Sequence, residues 1–154
     1  MNIANLLTPQ LICCGATVTS KKRSLELLAE LLAGTEEEPS ARTVFESLIG
    51  RERLGSTGLG KGVALPHARV TGFAQPVAAL VTLESPIDFD ALDRQPVDLL
   101  FALAVPEHST DEHLRILATL AEMFSDRSFC DSLRASRSAD EAFELLSRWQ
   151  GAGQ

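Results

Sequence analysis

Val97-Asp-Leu-Leu-Phe-Ala-Leu-Ala-Val-Pro106 is the stretch that decides the fold. Its residues are apolar almost without interruption. A strand with one wet face alternates apolar and polar side chains, whereas one apolar at nearly every position is buried on both faces. Pro106 ends it, because proline has no N–H to continue a ladder. A second strand is expected over Val77 to Leu83. Ser85 to Gln95 joins the two and leaves room for a small hairpin around Ile87 and Phe89.

Helical spacing dominates on either side. Towards the N-terminus, a short edge strand is expected around Leu11 to Cys14. Ser20 then caps a helix with Leu25, Leu28, Leu31 and Leu32 on one face, and Gly34 ends it. A second helix starts near Ser40, with Val44, Phe45, Leu48 and Ile49 facing inward. Gly50 weakens its last turn, and Arg51 and Arg53 sit at its end, where cations suit the helix dipole. After Pro106, Thr110 opens a helix with Asp111 and Glu112 in its first turn. Its buried stripe is expected at Leu114, Leu117, Ala118, Ala121 and Phe124. A shorter helix follows over Arg127 to Ala135. Ser138-Ala-Asp-Glu141 has the spacing of a capping box. It opens a last helix through Phe143, Leu145 and Leu146 to Trp149, with a frayed tail from Gln150. Helices, then strands, then helices predict an α/β fold: one domain over residues 1–154, ordered over about 5–149, with a central mixed sheet flanked by helices on both faces.

Between the second helix and the strands lies Leu54 to Gly62, with glycines at 55, 58, 60 and 62. Such density disfavours regular structure and predicts an irregular loop. The run resembles a nucleotide-binding P-loop, with Gly55, Gly60 and Lys61 in register. Gly62 stands where the magnesium-binding hydroxyl is needed, however, and a helix precedes the loop where a strand should. Glycine-rich backbone still approaches anions closely, and Ser56 and Thr57 add hydroxyl donors. Gly62 to His67 reads as a short apolar strand that Pro66 stops, placing His67 at the strand end within reach of solvent. Neutral imidazole is a nucleophile near pH 7, provided that a hydrogen bond holds one ring nitrogen and leaves the other free.

Composition narrows the remaining classes. The 154 residues carry a formal net charge of -7, with 45% hydrophobic residues and 5% aromatics. The core is therefore aliphatic. No basic stripe suggests nucleic acid, and the acidity suits either solubility or steering of a basic protein partner. Cys13, Cys14 and Cys130 are odd in number and two are adjacent, which fits a reducing cytosol and buried structural thiols. His108 and His113 are five apart and form no zinc pattern with His67 or the cysteines, so no metal is expected. No signal peptide is evident, and no run reaches the roughly 18 apolar residues of a membrane span. A cytoplasmic location is the expectation.

The run Arg51-Glu-Arg-Leu-Gly-Ser-Thr-Gly-Leu-Gly-Lys-Gly-Val-Ala-Leu-Pro-His67-Ala-Arg69 resembles the active-site segment of phosphotransferase-system EIIA domains of the fructose/mannitol type. The likeness continues through Gln95 to Pro106 and through His113-Leu-x-x-Leu-x-x-Leu-Ala121, covering nearly the whole chain. The resemblance implies that His67 accepts a phosphoryl group, that His113 neighbours it and that Arg51 is the active-site arginine. The backbone of Gly58, Gly60 and Gly62, with Ser56 and Thr57, would bind the phosphoryl oxygens. It also implies an HPr-like phosphocarrier as donor and no cofactor. Asn5-Leu-Leu-Thr-Pro9, and the absence of a fused EIIB or EIIC segment, resemble the nitrogen-related branch. Its members signal by phosphorylation-dependent binding to targets such as transporters or kinases. A sugar-specific EIIA serving an EIIB, and a binding module that has lost transfer, are the alternatives. Ala68-Arg69 departs from the Gly-Lys that relatives often carry.

Overall fold

The computed structural model describes residues 2–149; the tail from Gln150 lies outside them. Two short 3-10 turns, Ile3–Leu6 and Pro9–Leu11, lead into strand β1, Ile12–Ala16. Helix α1 spans Lys21–Ala33 and α2 spans Ala41–Glu52. Short strands β2 (Gly58–Gly60), β3 (Val63–Ala64) and β4 (His67–Val70) follow, then the long β5 (Val77–Ile87) and β6 (Val97–Pro106). Helices α3 (Asp111–Phe124), α4 (Arg127–Ala135) and α5 (Ala139–Arg148) complete the described chain.

The sheet order is β1-β5-β6-β3-β2, with β4 also paired to β6. β5 and β6 are antiparallel, while β1 runs parallel to β5, and β3 and β4 parallel to β6. The sheet is mixed, as expected. β6 is central, and its side chains divide by parity. Leu99, Phe101, Leu103 and Val105 pack with Ile116, Leu120 and Met123 of α3 and Leu133 and Leu146 of α4 and α5. Leu100, Ala102 and Ala104 pack on the other face with Leu25 and Leu28 of α1 and Val44 and Leu48 of α2. Period-2 geometry sends alternate residues to opposite faces, so helices cover both.

The helix starts follow their capping residues. Ser20 Oγ accepts from Arg23 N, Ser40 Oγ from Thr43 N and Ser138 Oγ from Glu141 N, each at 3.1 Å. Such caps stabilise by about 1 kcal/mol each. The box at Ser138 closes differently from the expectation, since Glu141 accepts from Arg137 N at 3.2 Å, one residue upstream of the cap.

Five expectations are corrected. Residues 58–60 are not irregular: β2 pairs antiparallel with β3, because a tight turn with positive φ at Gly60, Lys61 and Gly62 folds the glycines back. Gly58 belongs there because a Cβ would lie 2.9 Å from that of Ala91. The strand into His67 is interrupted at Leu65-Pro66, and His67 begins β4 instead of ending β3. No hairpin forms at Ile87 and Phe89, since β5 runs on to Ile87 and Phe89 is buried in the core. On α3 the buried residues are His113, Ile116, Leu120, Met123 and Phe124, with Leu114 64% exposed. Two apolar sets share helical spacing there, and the sheet takes the one that turns His113 inward. Cys13 and Cys14 are half-buried; Cys130 alone of the three thiols is buried.

Candidate functional site

β4, the N-terminal turn of α3 and the C-terminal turn of α2 meet at one open cleft of about 440 Å³. Its lining includes Arg51, Leu54, His67, Arg69, His113 and Leu114. His67, at the start of β4, is held by its register, opposite Leu103. Leu103 N donates to Pro66 O at 2.9 Å, so the ladder continues on the carbonyl of the residue without an N–H.

The tautomer of His67 follows from one distance. Nδ1 lies 2.8 Å from Leu65 O. A carbonyl oxygen only accepts, so Nδ1 carries the proton and donates. Nε2 keeps its lone pair. Burial lowers the His67 pKa from its ordinary value, and the Arg51 guanidinium acts in the same direction; the bond to Leu65 O and the carboxylate of Glu52 oppose them. The neutral nucleophilic form is the favoured one.

His113 supplies the second ring, with centroids 5.7 Å apart and planes at 71°. It is 7% exposed, and neither of its ring nitrogens has a hydrogen-bond partner among the described residues. Burial lowers its pKa, helped by His67 and Arg69. An unpartnered buried polar group costs about 1–3 kcal/mol. Such a group at an open cleft has the capacity to bond an incoming ligand.

Two guanidiniums flank the rings. Arg51 Nη1 donates to Gly55 O at 2.8 Å, and Arg69 Nε donates to Ser109 O at 2.9 Å. Each bond steadies one edge of a planar fork and leaves others for an anion. The structure therefore brings together His67, His113 and Arg51. It does not bring the glycine hairpin into this lining. Ser56 Oγ donates to Phe89 O and accepts from Gly58 N, both at 3.1 Å. Thr57 is buried and bonds Glu52 through its N–H and its hydroxyl. Beyond Gly60, Lys61 N donates to Asp93 Oδ2 at 2.8 Å, and Gly62 packs against Arg134 and Asp98. Ser56 Oγ, Thr57 and the N–H groups of Gly58 and Lys61 are thus already bonded away from the cleft.

Sequence reasoning missed Glu52, Arg69 as a cleft residue, and the exposed leucines of the rim. Glu52 falls in a charged run that reads as solvated helix end. Leu54 and Leu114 carried the ordinary apolar signal, and their exposures of 85% and 64% come from packing. Among the described residues no cluster of His, Cys, Asp or Glu is placed to hold a metal ion, and no helix is long and apolar enough to cross a membrane.

A mixed sheet between two helical layers, presenting a tautomer-fixed neutral imidazole in an arginine-flanked cleft, defines a protein class equipped to receive an anionic group on a ring nitrogen. Known proteins name that class. The family described as phosphoenolpyruvate-dependent sugar phosphotransferase system, EIIA 2, matches residues 5–149. The nitrogen regulatory protein of Pseudomonas aeruginosa is 43% identical over 146 residues, covering 95% of each chain. The nitrogen regulatory protein IIA-Ntr of Neisseria meningitidis is 44% identical with a TM-score of 0.87, over 94% of this chain and 98% of that one. The IIA mannitol protein of Escherichia coli, at 22% identity and a TM-score of 0.74 over 90% and 97% of the two chains, shares the fold. The chain belongs to the EIIA type 2 family of the phosphotransferase system, and its resemblance is to the nitrogen regulatory branch.

Proposed function

We propose that this chain is a regulatory phosphoryl carrier: Nε2 of His67 accepts a phosphoryl group from an HPr-like phosphohistidine protein, and the charge it gains changes which proteins it binds. The observation that carries the reading is the 2.8 Å bond from Nδ1 to Leu65 O, which leaves Nε2 unprotonated.

The step balances simply. The Nε2 lone pair attacks phosphorus, the N–P bond of the donor breaks, and its electron pair returns to the donor imidazole. The proton of His67 stays on Nδ1, donated in the hydrogen bond to Leu65 O, which stabilises the positive character of the substituted ring. Phosphoryl transfer is mostly positioning and charge stabilisation. Arg51 meets the phosphoryl oxygens with its fork, and a ring nitrogen of His113 bonds one of them and loses its unpartnered state. The rim formed by Leu54 and Leu114 suits docking of a protein donor, because exposed apolar side chains around a polar site mark interaction surfaces.

A regulatory outcome is supported by the names of the relatives and by physics. A phosphoryl group adds about -1.5 to -2 charges to one patch, enough to reverse a docking preference. Regulated transporters or kinases in the cytoplasm are the expected targets. The test is incubation with phosphoenolpyruvate and the general phosphotransferase proteins. Acid-labile phosphate should appear on the wild type and be absent from His67→Ala. Phosphate passing on rapidly to a sugar-specific EIIB would favour the metabolic alternative, and an unmodified wild type would sink both.

A further inference from the structure

Behind His67 lies a buried carboxylate that the transfer chemistry does not use. Glu52, in the last turn of α2, has a side chain only 2% exposed, ion-paired with Lys21 Nζ at 3.0 Å. Lys21 in turn sits 4.6 Å from the centroid of the Phe89 ring. A charge this deep persists only when paired and hydrogen-bonded. Glu52 meets that condition by accepting from Thr57 N at 3.3 Å and from the Thr57 hydroxyl.

The chain of bonds continues from there. Thr57 O accepts from Leu65 N at 3.0 Å, and Leu65 O accepts from Nδ1 of His67 at 2.8 Å. Leu65 is thus held through both its N–H and its C=O, in the two-residue gap where β3 has ended and β4 has not begun. Pro66 has no N–H with which to anchor that gap. The carbonyl that selects the His67 tautomer is therefore set by Thr57 on one side and by the bond from Leu103 N to Pro66 O on the other.

We propose that Glu52, held by Lys21, is a positioning residue for His67. Its carboxylate fixes Thr57, Thr57 fixes the Leu65 peptide, and that peptide keeps the proton on Nδ1 and the lone pair on Nε2. Outer partners of this kind orient a reactive imidazole and set its tautomer. The inference deepens the carrier reading and rests on it for its consequence, but its physical content concerns the tautomer alone.

The test reads the ring directly. Long-range ¹H–¹⁵N spectra report the His67 tautomer in the wild type, Glu52→Gln, Lys21→Met, Thr57→Val and Thr57→Ser, alongside the rate of phosphoryl uptake from the phosphorylated carrier. The wild type should show a single Nδ1–H tautomer. Glu52→Gln and Thr57→Val should populate the Nε2–H form and slow uptake about tenfold or more. Lys21→Met should do so more weakly, and Thr57→Ser should restore both readouts. If Glu52→Gln does not fold, the Thr57→Val and Thr57→Ser pair carries the test, since both keep the backbone bonds. An unchanged tautomer and rate in folded Glu52→Gln or Thr57→Val overturns the proposal. A wild type that takes up no phosphate overturns the carrier reading instead, and the tautomer populations still decide the role of Glu52.

Discussion

The rings of His67 and His113 meet edge to face, 5.7 Å between centroids, and the bond that is made on one is missing on the other. His67 donates a hydrogen bond from Nδ1 to Leu65 O, while His113 is buried with neither nitrogen partnered among the described residues. One ring is held with Nε2 free. The other is left with capacity to bond what arrives.

His113→Ala should slow phosphoryl uptake yet leave a detectable product, because Nε2 of His67 remains. His113→Leu should show the trade more sharply. It removes an unsatisfied buried polar group, so thermal unfolding should show stabilisation of about 1–3 kcal/mol, together with slower transfer. Destabilisation by His113→Leu would mean that the imidazole is satisfied in solution.

Arg51→Lys should also slow uptake. An ammonium cannot reproduce a planar fork that bonds Gly55 O with one nitrogen and would meet the phosphoryl oxygens with others. Rapid-quench measurement of the transfer rate checks this, and wild-type kinetics in the lysine variant would remove Arg51 from the reaction.

The pH dependence follows from the two depressed imidazoles. Both His67 and His113 have folded-state pKa values below the ordinary one, burial being the first cause in each. The native state therefore prefers the neutral rings. Their contribution to stability is complete above the unfolded value of about 6.5 and is lost as pH falls below it towards the folded values. Uptake should hold level as pH falls through 6.5 and decline only lower, when Nε2 protonates. NMR titration of both rings checks the sign; midpoints above 6.5 would reverse it.

Gly62→Ala should loosen the hairpin. Gly62 has φ of +85°, and an added Cβ would lie 2.7 Å from Arg134 Nη2, the nitrogen that donates to Lys61 O at 2.8 Å. A destabilisation of roughly 1–3 kcal/mol is expected in denaturant unfolding. Full stability would show that the turn tolerates a side chain.

Leu54→Asp and Leu114→Asp should weaken docking of the phosphocarrier while shifting stability by less than about 0.5 kcal/mol, since both side chains are exposed. Chemical-shift titration with the carrier separates this from damage to the fold. Unchanged affinity would place the donor elsewhere.

Much of the architecture was legible because local signals agreed with one another. Ser20, Ser40 and Ser138 marked helix starts that the structure places within a residue, and the apolar run at Val97 required cover on both faces. The failures occurred where two local patterns competed. On α3 both the Leu114 set and the Ile116 set had helical spacing, and only packing on the sheet chose between them. The glycines at 58, 60 and 62 signalled freedom from regular structure, but positive φ at Gly60, Lys61 and Gly62 built a hairpin.

The site divides in the same way. Residue type and order singled out His67, and the resemblance around it supplied Arg51 and His113. Neither assigned Glu52, whose neighbours in sequence are charged and whose neighbours in space are Thr57 and Lys21. The hydroxyl of Thr57 suggests a phosphoryl ligand in the sequence, and in the folded chain that hydroxyl bonds Glu52.

By itself the sequence determined the helices and the two long strands, the two-layered cover of the sheet and the imidazole that is the candidate acceptor, because periodicity, capping and imidazole chemistry are properties of neighbours along the chain. Only the tertiary structure decided which nitrogen of His67 is free, which face of α3 turns inward and which carboxylate lies behind the ring. Those depend on hydrogen bonds and contacts between residues that chain closure alone brings together.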